Sequence, residues 1–255
     1  MTPLVRILLA ANVGTFVLQV LADRLFPFTT WFALTPLKVA QGAVWQVATY
    51  LFLHGGVWHL LMNMLALFMF GSAVEARMGT RAFAGLYFTA GLGAGLVSLA
   101  AGWGQPVSVV GASGAIFGVL LAYAVFYPYR PITLLVFFVL PVTLPARVLV
   151  AGYAVVEALF LLSTGGLGHL AHLSGLAFGW GYLRAPEWAA RARDRIRRRR
   201  VNRQMRIVTR ARAEERTLQE EMDRLLDTIS RKGMAGLTPE EKRRLVEASE
   251  RLKKL

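Results

Sequence analysis

The stretch AFAGLYFTAGLGAGLVSLAAGWGQPVSVVGASGAIFGVLLAYAVFYPY, residues 82–129, runs for 48 positions without a charged side chain. A hydrocarbon core is about 30 Å thick and takes roughly 20 helical residues to cross. The stretch is therefore long enough for two spans, with Gly102-Trp103-Gly104-Gln105-Pro106 as the turn between them. The second limb starts late. Val107-Ser108-Val109-Val110 reads as extended, and a helix is expected only from Gly111-Ala112-Ser113-Gly114 to Tyr127, where Pro128 stops it. Non-helical backbone at membrane depth must be buried in protein or face a water-filled cavity. A serine placed there sits beside the unpaired N–H groups of a helix start, which can stabilise an oxyanion.

Working outward, the gaps between charges count the other helices. Sixteen uncharged residues lie between Arg6 and Asp23, enough for one span if Arg6 snorkels. Thirty-six lie between Lys38 and Glu75. Of these, residues 39–50 read as a loop or interfacial segment and residues 57–72 as a helix. Residues 148–183 carry only Glu157 and hold two more spans, separated at residues 163–168. The proline-fenced run at 131–140 is too short to span and is expected at the interface. The expected architecture is thus an all-α polytopic membrane protein with six transmembrane helices. Residues 1–184 form the membrane-embedded domain, and residues 185–255 form a basic helical cytoplasmic tail.

Composition agrees. The chain is 55% hydrophobic with a mean hydropathy of +0.47, too apolar for an ordinary soluble domain. Residues 1–183 hold ten charged side chains, whereas the last 72 hold 22 Lys and Arg and 12 Asp and Glu. With the N-terminus inside, the inner segments take Arg6, Arg77, Arg81, Arg130, Arg147 and the tail cations, and the outer ones only Arg24 and Lys38. The positive-inside rule then puts both termini in the cytoplasm. The first apolar run is followed by Asp23 and Arg24 rather than a small-residue cleavage site, so no cleavable signal peptide is expected. The absence of cysteine excludes disulfide scaffolds and thiol chemistry. Tail arginines beside a membrane point to anionic lipid headgroups, and no nucleic acid is expected.

Four polar residues in the apolar body fall near one depth. Counting from the cytoplasmic ends at 1.5 Å per residue puts Asn63 and His172 about 18 Å up and Ser113 about 21 Å up. His59 lies one turn above Asn63 on the same face. Gly114-xxx-Gly118 and Gly175-xxx-Gly179 are small-residue patterns that let membrane helices approach closely. His172 shares a face with Gly175 and Gly179 and so points along that seam. A Ser and a His on facing helices can act as nucleophile and base. Glu75 reads as too near the cytoplasm and Glu157 as nearer the cytoplasmic half than the pair, with a structural hydrogen bond its expected role. The reading is a Ser113–His172 dyad, its base packed on Phe117. Asn63, His59 and the Ser113 N–H serve as oxyanion donors. A metal site drawn from His54, His59, His169 and His172 is set aside, since no H-E-x-x-H is present and no carboxylate reads as near; no metal and no cofactor is expected.

These residues together resemble the rhomboid family of intramembrane serine proteases. Gly111-Ala112-Ser113-Gly114 is similar to the family's GxSG motif, and Ala171-His172-Leu173-Ser174-Gly175-Leu176-Ala177-Phe178-Gly179 to its AHxxGxxxG motif. His54 to Asn63 resembles its HxxxxHxxxN stretch, and Glu75-Ala76-Arg77-Met78-Gly79 its ExRxG loop. Trp45-Gln46 stands where many members have Trp-Arg. The resemblance covers residues 1–184 and implies serine endopeptidase activity on transmembrane protein substrates, with Ser113 the nucleophile and His172 the base. It further implies a cavity open to water from outside, gated by the fifth helix and the Gly-rich loop at 163–168. The Leu237-Thr238-Pro239-Glu240-Glu241 segment resembles a tail of some bacterial members, which implies a bacterial inner membrane. The rival expectation is a non-catalytic rhomboid-like protein that binds transmembrane clients. In the tail, Leu218, Met222, Leu225, Leu226 and Ile229 form an apolar stripe expected to self-associate or dock on a partner. Thr238 to Glu241 reads as a capping box opening a final helix. The sequence leaves the oligomeric state open.

Overall fold

The computed structural model describes residues 1–136 and 139–252. The chain divides into two compact units, Met1–Pro186 and Glu187–Leu255, and is mostly helical. The first unit begins with α1 (Pro3–Ala22) and three short helices, α2 (Phe28–Phe32), α3 (Pro36–Ala40) and α4 (Gln46–Thr49). Next, α5 (Val57–Ala66) runs through a π turn at Leu67–Gly71 into α6 (Ser72–Met78). Then come α7 (Thr80–Ala101), α8 (Ser113–Phe126), strands β1 (Pro131–Val136) and β2 (Leu140–Pro145), α9 (Ala146–Thr164) and the start of α10 (Leu167–Lys232). The second unit holds the rest of α10 and α11 (Pro239–Leu252). Among the described residues, four helical runs are long and apolar enough to cross a membrane: Pro3–Ala22, Val57–Met78, Thr80–Ala101 and Ala146–Thr164.

The chain is not purely helical, against the all-α expectation. The proline-fenced run pairs with the residues after it as an antiparallel hairpin, from Pro131↔Pro145 to Val136↔Leu140. Pro131, Pro141 and Pro145 exclude a continuous helix here. A two-stranded ribbon tolerates them, because each strand has an outer edge where no ladder bond is needed. Its base is tied by Ala146 N–H to the Arg130 carbonyl at 3.0 Å and Arg147 N–H to the Pro128 carbonyl at 3.2 Å.

The segment at 39–50 folds back as short helices, and its polar side chains satisfy backbone groups of neighbouring segments. The Gln46 amide oxygen accepts the Thr35 N–H at 2.9 Å, and its nitrogen donates to the Trp31 carbonyl at 3.0 Å. Trp45 donates to the same carbonyl at 3.0 Å and stacks on Trp31. Tyr50 donates its hydroxyl to the Gly91 carbonyl at 2.6 Å. Glu75, read as too near the cytoplasm to join the serine and histidine, caps α1. Its oxygens accept the N–H groups of Leu4 and Val5, each at 3.0 Å, and the Thr80 hydroxyl at 2.8 Å. A carboxylate at a helix N-terminus meets both orphan donors and the positive end of the dipole.

The glycine seam brings α8 and α10 together. A Cβ on Gly175 would land on the Gly114 carbonyl oxygen, and one on Gly179 would stand 2.7 Å from the Gly118 Cα. These contacts are backbone to backbone, so no side chain can move to make room. The opposite side of α8 is equally tight: a Cβ on Gly114 would meet the Ala94 Cβ at 2.7 Å, and one on Gly118 would meet Ala90.

In the second unit, α11 packs on the end of α10. Leu225, Leu237 and Ala248 are buried there, and Arg244 reaches Glu221 at 3.5 Å. The apolar stripe thus finds part of its docking surface within the chain. The capping box forms reciprocally. Glu241 Oε2 accepts from the Thr238 N–H at 2.8 Å and hydroxyl at 2.9 Å, while the Glu241 N–H donates to Thr238 Oγ1 at 3.3 Å.

Two outcomes follow. Gly175→Val should destabilise the folded protein by about 3 kcal/mol or more, read as a large fall in melting temperature in detergent. Gly152→Ala, in α9 with nothing near its Cβ position, should leave the melting temperature unchanged or slightly raised; equal behaviour of the two would refute the seam. Separately, the Thr238 N–H and hydroxyl hold the Glu241 carboxyl below its ordinary range. The cap is therefore present above the unfolded carboxylate pKa and lost as pH falls through the depressed one. An NMR titration of the full chain should place the Glu241 inflection below that of ordinary glutamates, and Thr238→Ala should raise it.

Candidate active site

Ser113 opens α8 and follows a turn that only glycine can make. Gly111 has φ 123°, and a Cβ there would stand 2.7 Å from Cε1 of His59. The turn is held on both sides. Gly111 N–H donates to the Tyr50 carbonyl at 2.9 Å, and Val109 pairs with Leu34 through bonds of 3.0 and 2.8 Å. Thr35 and Ser108 join their hydroxyls at 2.8 Å. The extended run thus borrows partners from the segment after α2, which meets the rule that such backbone be buried in protein. The Ser113 and Gly114 N–H groups lie in the first turn of α8, where no preceding carbonyl of the helix can reach them.

His172 comes from α10. Its Nε2 lies 2.7 Å from Ser113 Oγ, and its ring stacks on Phe117 with centroids 4.4 Å apart and planes 6° apart. The Gly114–Gly175 contact one turn below sets this approach. His59 accepts the Gly55 N–H on Nδ1 at 3.2 Å. In the neutral ring this leaves the proton on Nε2, the nitrogen beside Gly111 and the serine turn. Asn63 donates one amide N–H to the His59 carbonyl at 3.0 Å, which leaves its other N–H unused by that bond. Ser113, His172, His59, Asn63, Phe117 and Tyr153 line one cavity of about 250 Å³.

Two features of the site lay beyond the sequence reading. His54 is buried: Gln19 clamps its backbone, donating to its carbonyl at 2.9 Å and accepting its N–H at 3.1 Å. Its ring lies edge-on to His59 at 5.1 Å. Gln19 had no signal beyond being a polar residue in an apolar run. Glu157, read as nearer the cytoplasm, instead reaches the histidines of α10. Its Oε2 is 2.7 Å from Nδ1 of His169 and its Oε1 3.0 Å from Nδ1 of His172. Counted from Arg147, Glu157 stands ten residues along α9, about 15 Å, and its side chain covers the remaining depth. A carboxylate is therefore near after all, and Glu157, His169 and His172 present donor atoms within 4.8 Å of one another that could hold a metal ion.

A serine hydroxyl in contact with an imidazole, beside free N–H groups and two further amide or imidazole donors, has the parts for acyl transfer. Comparison with known proteins bears on the family. The rhomboid domain family matches residues 41–185, and a family of unknown function, DUF6576, matches residues 208–251. The chain is 35% identical over 148 residues to Rhomboid protein 1, mitochondrial, of Saccharomyces cerevisiae, covering 53% of this chain and 41% of that protein. It is 43% identical over 89 residues to RHOMBOID-like protein 5 of Arabidopsis thaliana, covering 34% and 28%. To Rhomboid protease GluP of Bacillus subtilis it is 42% identical over 82 residues, covering 32% and 16%. The chain spans less than half the length of each of these relatives.

The unused N–H of Asn63 gives a test. Asn63→Ala should slow phosphonylation of Ser113 by a fluorophosphonate by about 100-fold, the loss typical of one oxyanion donor, with little change in melting temperature. A fall in melting temperature with labelling unchanged per folded molecule would mark Asn63 as a tie between turns.

Proposed function

The chain belongs to the rhomboid family of multi-pass membrane proteins, and on that footing we propose that it is an intramembrane serine endopeptidase. The observation that carries this reading is the 2.7 Å contact between Ser113 Oγ and His172 Nε2 inside the cavity shared with His59 and Asn63. Ser113 Oγ attacks the scissile carbonyl carbon while Nε2 of His172 takes its proton. The Ser113 N–H, His59 Nε2–H and the free Asn63 N–H receive the oxyanion. Collapse of the tetrahedral intermediate expels the amine, which takes the proton from His172 and leaves an acyl-Ser113 ester. A water activated by the same imidazole hydrolyses the ester.

The substrates are transmembrane proteins, cut where their helix unwinds easily near small residues. The six spans are the four long apolar runs, the 14-residue α8 and the apolar start of α10. Both termini are cytoplasmic, the membrane is a bacterial inner membrane, and the arginine-rich tail of 185–255 lies against anionic headgroups. A client-binding protein without catalysis has no need of this contact, and the presence of both Ser113 and His172 favours the enzyme.

Purified full-length protein should cleave a transmembrane reporter, and Ser113→Ala or His172→Ala should lower turnover at least about 10,000-fold with folding intact. Equal cleavage by the Ser113→Ala protein would overturn the proposal.

A further inference from the structure

Stacking on Phe117 fixes the plane of the His172 ring, but a stacked face is indifferent to which nitrogen carries the proton. That choice matters. For Nε2 to accept from Ser113 it must present a lone pair, so the proton of the neutral ring must sit on Nδ1. Nδ1 is buried, and an acceptor has to be found for it inside the protein. Oε1 of Glu157 lies 3.0 Å away.

We propose that Glu157 is a positioning residue for His172, so that the dyad works as a Ser113–His172–Glu157 triad assembled from three helices. The inference rests on the serine endopeptidase reading. The carboxylate selects the tautomer with the proton on Nδ1 and stabilises the imidazolium that forms as Ser113 attacks. The surroundings strengthen that attraction, because the Glu157 side chain is only 13% exposed. The Nδ1–Oε1 pair has the distance of a hydrogen bond without yet its angle. Catalytic hydrogen bonds are often poorly aligned in the resting enzyme and tighten with substrate bound.

His169 supplies the second half of the device. Its Nδ1 lies 2.7 Å from Oε2, and its ring stacks on Phe160, one turn along α9 from Glu157, at 5.2 Å and 14°. The carboxylate is therefore tethered at one oxygen and offers the other to His172. A carboxylate with only a packing role has no reason to bridge two imidazoles through the same ring nitrogen of each.

The test uses the full-length protein and the transmembrane reporter. Glu157→Gln keeps the shape and an acceptor oxygen but removes the charge, so it rescues a structural role and not this one. It should lower kcat by about 100-fold or more, since a wrong tautomer is among the costlier losses in such triads, with KM changed less than about twofold and melting temperature unchanged. His169→Gln should lower kcat more mildly. If Glu157→Gln fails to fold, ¹⁵N NMR of the histidine rings in the unmodified protein still decides: the proton of neutral His172 should be on Nδ1, and finding it on Nε2 would overturn the proposal. A Glu157→Gln protein with normal kcat, beside an inactive Ser113→Ala, would overturn it while sparing the dyad. Full activity of Ser113→Ala would instead overturn the endopeptidase reading itself. Activity lost to a chelator and restored by zinc would also overturn it, because the three donors would then be metal ligands.

Discussion

The backbone contact between α8 and α10 is the constraint on which the rest of the molecule depends. In a bilayer the lipid tails are as apolar as the side chains, so helices associate through close packing and polar contacts rather than through expulsion of water. Gly175 packs on Gly114 and Gly179 on Gly118, backbone to backbone. Ala90 and Ala94 wedge α8 from the other side. The helix that carries Ser113 thus has almost no freedom to slide, and the 2.7 Å contact with His172 follows from the seam one turn below it. A side chain at Gly175 or Gly179 would push α10 off α8 and part Ser113 from His172.

A second constraint runs through the irregular segments. Outside its regular helices the first unit has turns and extended backbone that must find partners within the protein. Gln46, Tyr50, Gln19 and Glu75 provide them, each bonding backbone groups far away in sequence. Their work converges on the site. Tyr50 holds the Gly91 carbonyl through its hydroxyl and the Gly111 N–H through its own carbonyl, so it links α7 to the serine turn. Gln19 fixes the strand of backbone at His54, whose ring abuts His59. None of these four lines the cavity, but they position the backbone around it. Family relatives often carry Trp-Arg where this chain has Trp45-Gln46, and here the neutral amide meets three backbone partners without bringing a charge into the bundle.

The His172 ring is braced from several directions: Phe117 of α8 stacks on it, Ser113 meets one nitrogen, and Glu157 of α9 lies at the other. Among the described residues of α9, only Ala146, Leu149 and Val150 are buried, all in its first two turns. Leu159 and Leu162 stand largely exposed, as suits a face turned to lipid. The helix that brings the carboxylate is therefore held least firmly at the end nearest the site, and any outward movement of that end would part Glu157 from His172.

Much was legible from the chain alone because the bilayer makes depth a linear quantity. Charges are excluded from hydrocarbon, helices rise 1.5 Å per residue, and so the charge gaps marked the long helices while counting placed Ser113, His172 and Asn63 at one level. The glycine spacing named the seam and the face of α10 that carries His172. Counting cannot give the direction a side chain points around its helix or how far it reaches. That is why Glu157 was read as falling short of the pair, and why Gln19 and Tyr50 went unnoticed. The hairpin at β1 and β2 was hidden for a related reason: strand pairing depends on a partner that no local pattern in an apolar, proline-rich run announces. Levels and faces were written in one dimension, whereas the meeting of particular atoms, Nε2 with Oγ and Nδ1 with a carboxylate, was decided only when three helices closed on one another.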